Sequence, residues 1–299
     1  MEILRTNAEM ARWRDECYRK RHTVGFVPTM GYLHQGHLAL VEEALRRADR
    51  VVVSIFVNPT QFGPGEDLDQ YPRDFERDLD LCRELGVNAI FAPEVEEMYP
   101  DGFQTRVIVD RVTQNLCGLH RPGHFDGVAL VVTKLFCAIR PHVAVMGEKD
   151  FQQLVVVKRL SRDLNLGVEI IPHPTVRESD GLAMSSRNTY LSKEERQSAL
   201  SLYRSLLTAR ELVKEGEHRV EVLLDKIKAM IEAGPHCKIQ YVQVVDEDTV
   251  TDIAEVTPRA VMAMAVFVGK ARLIDNMRLW PDEKQLEATR EQRAADTSY

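Results

Sequence analysis

Two histidines three residues apart, His34 and His37, lie in the stretch PTMGYLHQGH (28–37). An apolar run precedes this stretch and a helical pattern follows it, which predicts a turn from a strand into a helix. The first N–H groups of a helix are unpaired and partly positive, so they attract anions. Gly31 and Gly36 allow the backbone to bend and to approach a ligand closely. Phosphate binding through the two imidazoles, metal binding and a simple tight turn are the three interpretations.

The segment CGLHRPGH (117–124) contains another set of side chains that can bind metals. Cys117, His120 and His124 are ligand types for zinc. A Pro-Gly pair stands between the two histidines and would break a helix that placed them on one face. We therefore interpret the segment as a loop that closes over a site, with metal binding as the lesser alternative. The histidines of PTMGYLHQGH have no cysteine or carboxylate at a useful spacing, which disfavours zinc there as well.

The stretch MGEKDFQQL (146–154) follows directly on the apolar run HVAVM. A turn at the carboxyl end of a strand is where a nucleotide meets a parallel sheet. Lys149 can hold a phosphate there as a point charge. The alternative is a solvated turn in which this lysine pairs with an aspartate.

Hydroxyl groups and a guanidinium occur together in ESDGLAMSSRNTYLS (178–192). Ser185, Ser186 and Arg187 suit the oxygen atoms of a polyphosphate, and Gly181 offers a hinge. The segment is therefore predicted to fold over a bound polyphosphate. The alternative is a polar linker between two domains.

A loop rich in proline and glycine, NPTQFGPGEDLDQYPRD (58–74), follows the second predicted strand. Its GPGEDL lacks the third glycine of a dinucleotide fingerprint, and Pro72 interrupts the helix that should follow. The pattern GxxxxGK[ST] is absent from the sequence, which excludes a P-loop. We interpret the loop as a candidate lid, with Gln61 at its base as a hydrogen-bonding partner for a small polar substrate.

Alternating strands and helices in the first 176 residues must position these stretches. The predicted strands are the runs rich in apolar and β-branched residues at 23–28, 51–57, 88–93, 105–110, 142–146 and 167–173. The predicted helices span about 36–47, 73–85, 128–139 and 151–164. Strands that alternate with helices form a mostly parallel sheet covered on both faces, so the sequence predicts a Rossmann-like α/β fold. Ligands of such folds bind beyond the carboxyl ends of the strands.

The pattern changes after residue 176 to that of a smaller α+β domain. Two helices (192–216, 219–233) and three antiparallel strands (238–246, 259–269, 271–279) are predicted there. The first helix begins with a capping box formed by Ser192 and Glu195, and a Gly269-Lys270 turn joins the last two strands. We therefore predict a ligand-binding domain at 1–176, a C-terminal lid domain at 177–284 and a polar tail at 285–299.

The composition is typical of a soluble globular protein. The 299 residues are 44% hydrophobic and 28% charged, with a net charge of −7. Interspersed charges of both signs argue against a general nucleic-acid binder. No apolar run reaches the roughly 20 residues of a membrane span, and the N-terminal residues lack the apolar stretch of a secretory signal. Five scattered cysteines without a CxxC pattern indicate reduced thiols. We expect a cytoplasmic protein that binds neither nucleic acid nor membranes.

Six stretches that occur in this order together resemble one family: PTMGYLHQGH, FVNPTQFGPGEDLDQYPR, RPGHFDGV, MGEKDFQQL, MSSRN and GKARLIDN. The HxGH pattern alone is typical of the whole HxGH nucleotidyltransferase superfamily. The combination with NPTQF, GEKDFQQL and MSSRN resembles the pantoate–β-alanine ligases, or pantothenate synthetases, over about residues 3–280. The resemblance implies an ATP-dependent ligation in two steps. Pantoate first attacks the α-phosphorus of ATP to give pantoyl adenylate and pyrophosphate, and the amine of β-alanine then displaces AMP to give pantothenate.

The resemblance also implies which residues bind the reactants. Those for ATP are Met30, Gly31, Tyr32, Leu33, His34, Gln35, Gly36, His37, Gly147, Glu148, Lys149, Asp150, Val176, Met184, Ser185, Ser186 and Arg187. His37 would be the proton donor, and His34, Lys149 and Arg187 would be the other catalytic residues. Gln61 and Gln153 would hold pantoate, and Gln61 would also lie where β-alanine arrives.

The same resemblance implies Mg²⁺, held mainly by phosphate oxygens and water, and a homodimer. The sequence assigns no protein ligand to the metal. One rival interpretation is another HxGH enzyme, which leaves the nucleotidyl group on its product. A rival of a different class is a nucleotide sensor without catalysis. Gln61 and Gln153 favour the ligase, because amide side chains suit a small hydroxy acid.

Overall fold

The structure, a computed structural model, describes residues 1–280. This part of the chain forms two compact units. The first unit comprises Met1–Val176 and Met184–Ser186, and the second comprises Arg177–Ala183 and the described residues from Arg187 onward. Residues 285–299, predicted as a polar tail, lie outside the described residues.

The first unit is built on one parallel sheet. Its strands are β1 (Glu2–Leu4), β2 (Val24–Thr29), β3 (Arg50–Ile55), β4 (Ala89–Phe91), β5 (Val143–Gly147) and β6 (Glu169–His173). All pairs are parallel, in the order β1-β4-β3-β2-β5-β6. The central strands are almost wholly apolar and buried, as expected for a sheet covered on both faces.

Helices and short 3₁₀ turns connect these strands. The helices are α1 (Asn7–Arg19), α2 (Gln35–Arg47), α3 (Phe75–Leu85), α4 (Val95–Met98), α5 (Leu116–His120), α6 (His124–Ile139) and α7 (Phe151–Asp163). The 3₁₀ turns are Pro59–Gln61 and Glu148–Asp150. Strands that alternate with helices around a parallel sheet confirm the predicted Rossmann-like α/β class.

The strand order places three of the predicted stretches side by side. Strand β2 pairs with β3 on one side and with β5 on the other. The PTMGYLHQGH turn, the turn containing Gln61 and the Lys149 turn therefore follow the carboxyl ends of three adjacent strands. Ligands of parallel sheets bind at this edge.

The second unit has two long helices and an antiparallel sheet. Its elements are α8 (Lys193–Lys214), α9 (Val220–Glu232), β7 (Cys237–Asp246), β8 (Ala260–Val268) and β9 (Ala271–Arg278). The predicted capping box is confirmed, because Ser192 Oγ accepts from the Glu195 N–H at 3.2 Å and the Glu195 carboxylate accepts from the Ser192 N–H at 2.8 Å. Gly269, with φ of +56°, begins the two-residue turn between β8 and β9.

Two predictions about local structure were wrong. Residues 105–110 do not form a strand. They are rich in β-branched residues, but β-propensity requires a neighbouring strand, and no strand of residues 1–280 pairs with them. CGLHRPGH is not one loop, since it supplies all but the first residue of α5 and the first residue of α6. Its Gly123, with φ of +81°, ends the break that the Pro-Gly pair makes between these two helices.

The sequence reasoning also missed β1 and α1 at the N-terminus. Thr6 and Glu9 form a capping box at the start of α1, with the same spacing as the pair that begins α8. No helix within residues 1–280 is long and apolar enough to cross a membrane.

Candidate active site

The carboxylate of Asp78 holds the backbone of the turn between β2 and α2. Gly31 and Tyr32 both adopt left-handed backbone conformations, with φ of +82° and +51°. Asp78, buried in the first turn of α3, accepts from the N–H groups of Tyr32 and Leu33, each at 2.7 Å. Burial raises the pKa of Asp78, and the two N–H bonds oppose that shift by favouring the charged form. The carboxylate therefore determines where the following histidines lie.

The two histidines cap the helix that they begin. His34 is the N-cap residue of α2, and its Nδ1 accepts from the Gly36 N–H at 3.1 Å. His37 Nδ1 accepts in turn from the His34 N–H at 3.3 Å, and the ring centroids lie 4.1 Å apart. A neutral imidazole whose Nδ1 accepts must carry its hydrogen on Nε2. In both rings the hydrogen is therefore on Nε2.

The environment keeps His37 neutral. Burial, the neighbouring His34 and the positive charge of Lys149 together lower the pKa of His37 to about 3. The ring is consequently a hydrogen-bond donor at neutral pH, and it does not carry a charge of its own.

Several backbone N–H groups of this turn have partners within the protein. Those of Gly31, Tyr32, Leu33, His34 and Gly36 donate to side chains. Binding of an anion at the start of α2 stays a prediction, and the imidazole rings are the side-chain donors assigned to it.

Gly36 is required for space and not for backbone conformation. A Cβ atom at this position would lie 2.9 Å from His34 Cε1 and 3.0 Å from His34 Nδ1. The glycine of HxGH therefore makes room for the capping ring.

The Lys149 turn occupies the end of β5. Gly147 ends the strand, Glu148–Asp150 form the 3₁₀ turn, and α7 begins at Phe151. The two glutamines that follow differ in role. Gln152 is buried, and its amide donates to the carbonyls of Val112 at 2.9 Å and Asn115 at 2.8 Å. Gln153 is half-buried on the first turn of α7 and is the glutamine that the sequence assigned to pantoate.

The Gln61 side chain lies beside the HxGH turn. Its Nε2 lies 3.2 Å from Met30 Sδ, and its Oε1 accepts from Asn58 Nδ2 at 3.0 Å. Asn58 is buried, and its Oδ1 accepts from Thr60 and from the Tyr99 hydroxyl. The structure thus places the Gln61 side chain against Met30, in the turn that follows β2.

The MSSR residues divide between the two units. Met184, Ser185 and Ser186 belong to the first unit, whereas Arg187 belongs to the second. The Met184 N–H donates to the Val176 carbonyl at 3.0 Å. A Cβ built on Gly36 would lie 3.6 Å from Met184 Cβ, which places Met184 against the start of α2.

Sequence reasoning missed some residues of the site and misread others. Asp78 gave no signal, because an acidic residue in the first turn of a helix is common. His124 was assigned to a loop or a metal, but it lies on α6 and its Nδ1 is 2.8 Å from the Gln61 carbonyl. Within residues 1–280 no three His, Cys, Asp or Glu side chains form a group that could hold a metal ion.

Comparisons with known proteins agree with this geometry. The model of the family described as pantoate–β-alanine ligase matches residues 2–278. The pantothenate synthetase of Syntrophus aciditrophicus is 53% identical over 276 residues, covering 92% of this chain and 96% of that protein. The crystal structure of pantothenate synthetase from Thermus thermophilus has a TM-score of 0.89 and 48% identity, covering 94% of this chain and 100% of that one.

A third relative was solved with ligands. The pantoate–β-alanine ligase of Francisella tularensis, described as complexed with β,γ-ATP and β-alanine, has a TM-score of 0.77 and 33% identity. It covers 93% of this chain and 98% of its own. The strand order, the histidine turn and these similarities lead to one conclusion. The chain belongs to the pantoate–β-alanine ligase family.

Proposed function

We propose that the protein condenses pantoate with β-alanine to give pantothenate, at the expense of ATP and with release of AMP and pyrophosphate. The observation that carries the proposal is the family match over residues 2–278. It is supported by a site in which two imidazole donors, a lysine and a glutamine follow adjacent strands.

The first step is the transfer of an adenylyl group. A pantoate carboxylate oxygen forms a bond to the α-phosphorus of ATP, and the bond from this phosphorus to the β-phosphate bridging oxygen breaks. Pyrophosphate leaves with the electron pair. The protein's task is to position the reactants and to stabilise the charge that builds on the phosphates.

Four residues are assigned to the phosphates in this proposal. The Nε2–H groups of His34 and His37 donate to phosphate oxygens, and Lys149 and Arg187 supply positive charge. Because the pKa of His37 is about 3, its ring acts by hydrogen bonding as the neutral form. The resemblance assigns His37 as the proton donor, and its Nε2–H is the group that we assign to this role.

The remaining assignments follow the resemblance. The ATP site comprises Met30–His37, Gly147–Asp150, Val176 and Met184–Arg187. Gln61 and Gln153 hold pantoate, and Gln61 also meets β-alanine. In the second step the β-alanine nitrogen forms a bond to the pantoyl carbonyl carbon, the bond to the AMP oxygen breaks, and the amine loses its proton.

Magnesium is part of the proposal. The resemblance implies an ion held mainly by phosphate oxygens and water. When bound, such an ion would neutralise charge on the phosphates. No protein ligand is assigned to it.

Product analysis tests the proposed reaction. The protein is incubated with ATP, pantoate and β-alanine, and we expect AMP, pyrophosphate and pantothenate in equal amounts. Sustained AMP release that does not require β-alanine would contradict the ligase. A product that keeps the adenylyl group would identify the other kind of HxGH enzyme, and ATP binding without turnover would identify a nucleotide sensor.

A homodimer and a cytoplasmic location complete the proposal. The resemblance supports both, and Ile108 and Leu119 are large apolar side chains that stay 64% and 61% exposed in the single chain. Light scattering on the purified protein is expected to give twice the chain mass. The mass of one chain would contradict the dimer.

A further inference from the structure

The RPGHFDG stretch, residues 121–127, packs against the turn that carries Gln61. Gly127 on α6 lies so close to this turn that a Cβ atom there would be 2.3 Å from the Thr60 carbonyl oxygen and 2.6 Å from the Gln61 nitrogen. The Gly127 carbonyl accepts from Asn58 Nδ2 at 3.1 Å. The first turn of α6 therefore packs directly against the Pro59–Gln61 turn.

His124, one helical turn before Gly127, binds the same backbone. Its Nδ1 lies 2.8 Å from the Gln61 carbonyl oxygen, which can only accept, so Nδ1 carries the hydrogen. Its Nε2 then accepts, and Arg121 Nη1 lies 3.1 Å away as the donor. Burial and the charge of Arg121 lower the pKa of His124 to about 4, in agreement with this neutral tautomer.

Arg121 connects the Pro59–Gln61 turn to the candidate lid loop. Its Nη2 donates to the Gln61 carbonyl at 3.3 Å, and its Nε donates to Glu66 Oε1 at 2.7 Å. Glu66 lies five residues after Gln61 in the Pro/Gly-rich loop. The single carbonyl of Gln61 thus receives two donors, and the loop that continues from it is tied to the same arginine.

We propose that Arg121, His124 and Gly127 are positioning residues that set the orientation of Gln61 and thereby determine how tightly the enzyme binds pantoate. The inference rests on the proposed function, in which Gln61 holds pantoate. His124 acts through its Nδ1–H, Arg121 fixes the tautomer of His124, and Gly127 allows the close approach. None of these three contacts is made with the HxGH turn itself, and of these groups only the Gln61 side chain contacts it, through Met30. We therefore expect their loss to affect pantoate binding much more than ATP binding.

The test compares two replacements of His124. Asn places an amide nitrogen near the Nδ1 position, whereas Gln places it near the Nε2 position. His124→Gln should raise the KM for pantoate about 10- to 100-fold, as a displacement of roughly 1 Å at a binding group does. His124→Asn should stay within about 3-fold of the wild type, and both should bind ATP within about 2-fold, because only Asn keeps the donor to the carbonyl. His236→Gln, at an exposed histidine of the second unit, is the control and should change neither value.

A double variant separates positioning from general stability. If His124 acts only through Gln61, His124→Gln should have little further effect on pantoate KM in a Gln61→Ala background. Equal effects of the Asn and Gln replacements, additive effects with Gln61→Ala, or a parallel loss of ATP binding would each overturn the inference. Wild-type protein that binds ATP but makes no pantothenate would instead refute the proposed function, and the two failures are thereby distinguishable.

Discussion

Two turns at the same edge of the sheet are held in opposite ways. The HxGH turn is held through its N–H groups, which donate to the Asp78 carboxylate. The Gln61 turn is held through its carbonyl, which accepts from Arg121 and His124. At the first turn, the His34 and His37 rings cap the helix through Nδ1. The proposed function assigns the Nε2–H groups of the same two rings to the ligand. At the second turn the supporting residues are separate from Gln61. The difference shows where stability and activity can be separated by mutation.

The largest expected effect is at His37. One ring there both caps α2 through Nδ1 and, in the proposed function, donates to the phosphates through Nε2. His37→Ala should lower turnover about 10²- to 10³-fold, as for removal of a donor to developing charge. His37→Gln should recover part of the turnover, because its amide nitrogen reaches the Nε2 position, whereas His37→Asn should keep only the cap. Steady-state rates and urea unfolding measure the two roles. An Asn variant with near-normal turnover would show that the cap, and not the Nε2–H, carries the activity.

Asp78→Asn breaks the support of the HxGH turn without touching the histidines. An amide oxygen can replace only one of the two acceptors, and its NH₂ group would face the other N–H. We expect a loss of about 1.5–3 kcal/mol in the free energy of unfolding, the range for a charged hydrogen bond. Asp80→Asn, at an exposed carboxylate of the same helix, is the matched control and should change it by less than about 0.5 kcal/mol. Equal unfolding midpoints for the two variants would argue against the role of Asp78.

Gly127 and Gly36 are close-packed glycines, one against the Gln61 turn and one in the HxGH turn, and replacing them compares the two turns again. Gly127→Ala would meet backbone atoms that cannot move, so we expect destabilisation of about 1–3 kcal/mol. Gly36→Ala would meet the His34 ring, which can rotate away, and alanine favours a helix over glycine by about 1 kcal/mol. The second variant should therefore fold as well as the wild type and lose activity. Thermal unfolding and turnover measured on both variants decide this, and a Gly36→Ala enzyme with full activity would contradict the steric reason for that glycine.

The last prediction is a dependence of stability on pH. The folded-state pKa values of His37 and His124 are about 3 and about 4, below the ordinary value of 6.5. Between the folded-state pKa and 6.5, each histidine is protonated in the unfolded chain and neutral in the folded one. The free energy of unfolding therefore falls as the pH drops below 6.5, and these two groups do not affect it above that pH. Each group adds at most about 1.4 kcal/mol per pH unit. Urea titrations across this range should show a shallower dependence for His124→Asn, and an unchanged slope would mean that His124 is not neutral in the fold.

The fold was largely predictable because its signals are local. Apolar runs such as VVVSIFV and capping boxes such as Ser192 with Glu195 depend on residues close in sequence. The wrong or missing strand predictions concern segments whose structure depends on residues far away in the sequence. Residues 105–110 have the composition of a strand, but no strand in the described part of the chain pairs with them. In contrast, β1 is a strand of only three residues, and it forms because β4 pairs with it.

The sequence indicated candidate residues for the site but not the hydrogen bonds that hold them. The spacing of His34 and His37 favours a phosphate site, which stays a prediction, but their capping through Nδ1 depends on ring positions that spacing does not determine. Asp78 reaches Tyr32 across 46 positions of sequence, and no pattern in either segment indicates the other. RPGHFDG was noticed as unusual, and only the close approach of α6 to the Gln61 turn explains it.

The pairing of β2 with β5 has a consequence for the order in which the molecule can be made. Gly25 pairs with Val143 and Phe26 with Ala144, so one edge of the central strand must wait for residues 118 positions later. At roughly 5–20 residues per second, a ribosome needs about 6–24 seconds to supply them. During that interval β3 can cover only one side of β2, and the apolar VGFVPT strand leaves its other edge open to pairing with another chain. The edge of β2 that later pairs with β5 is thus open to misassembly in a newly made chain.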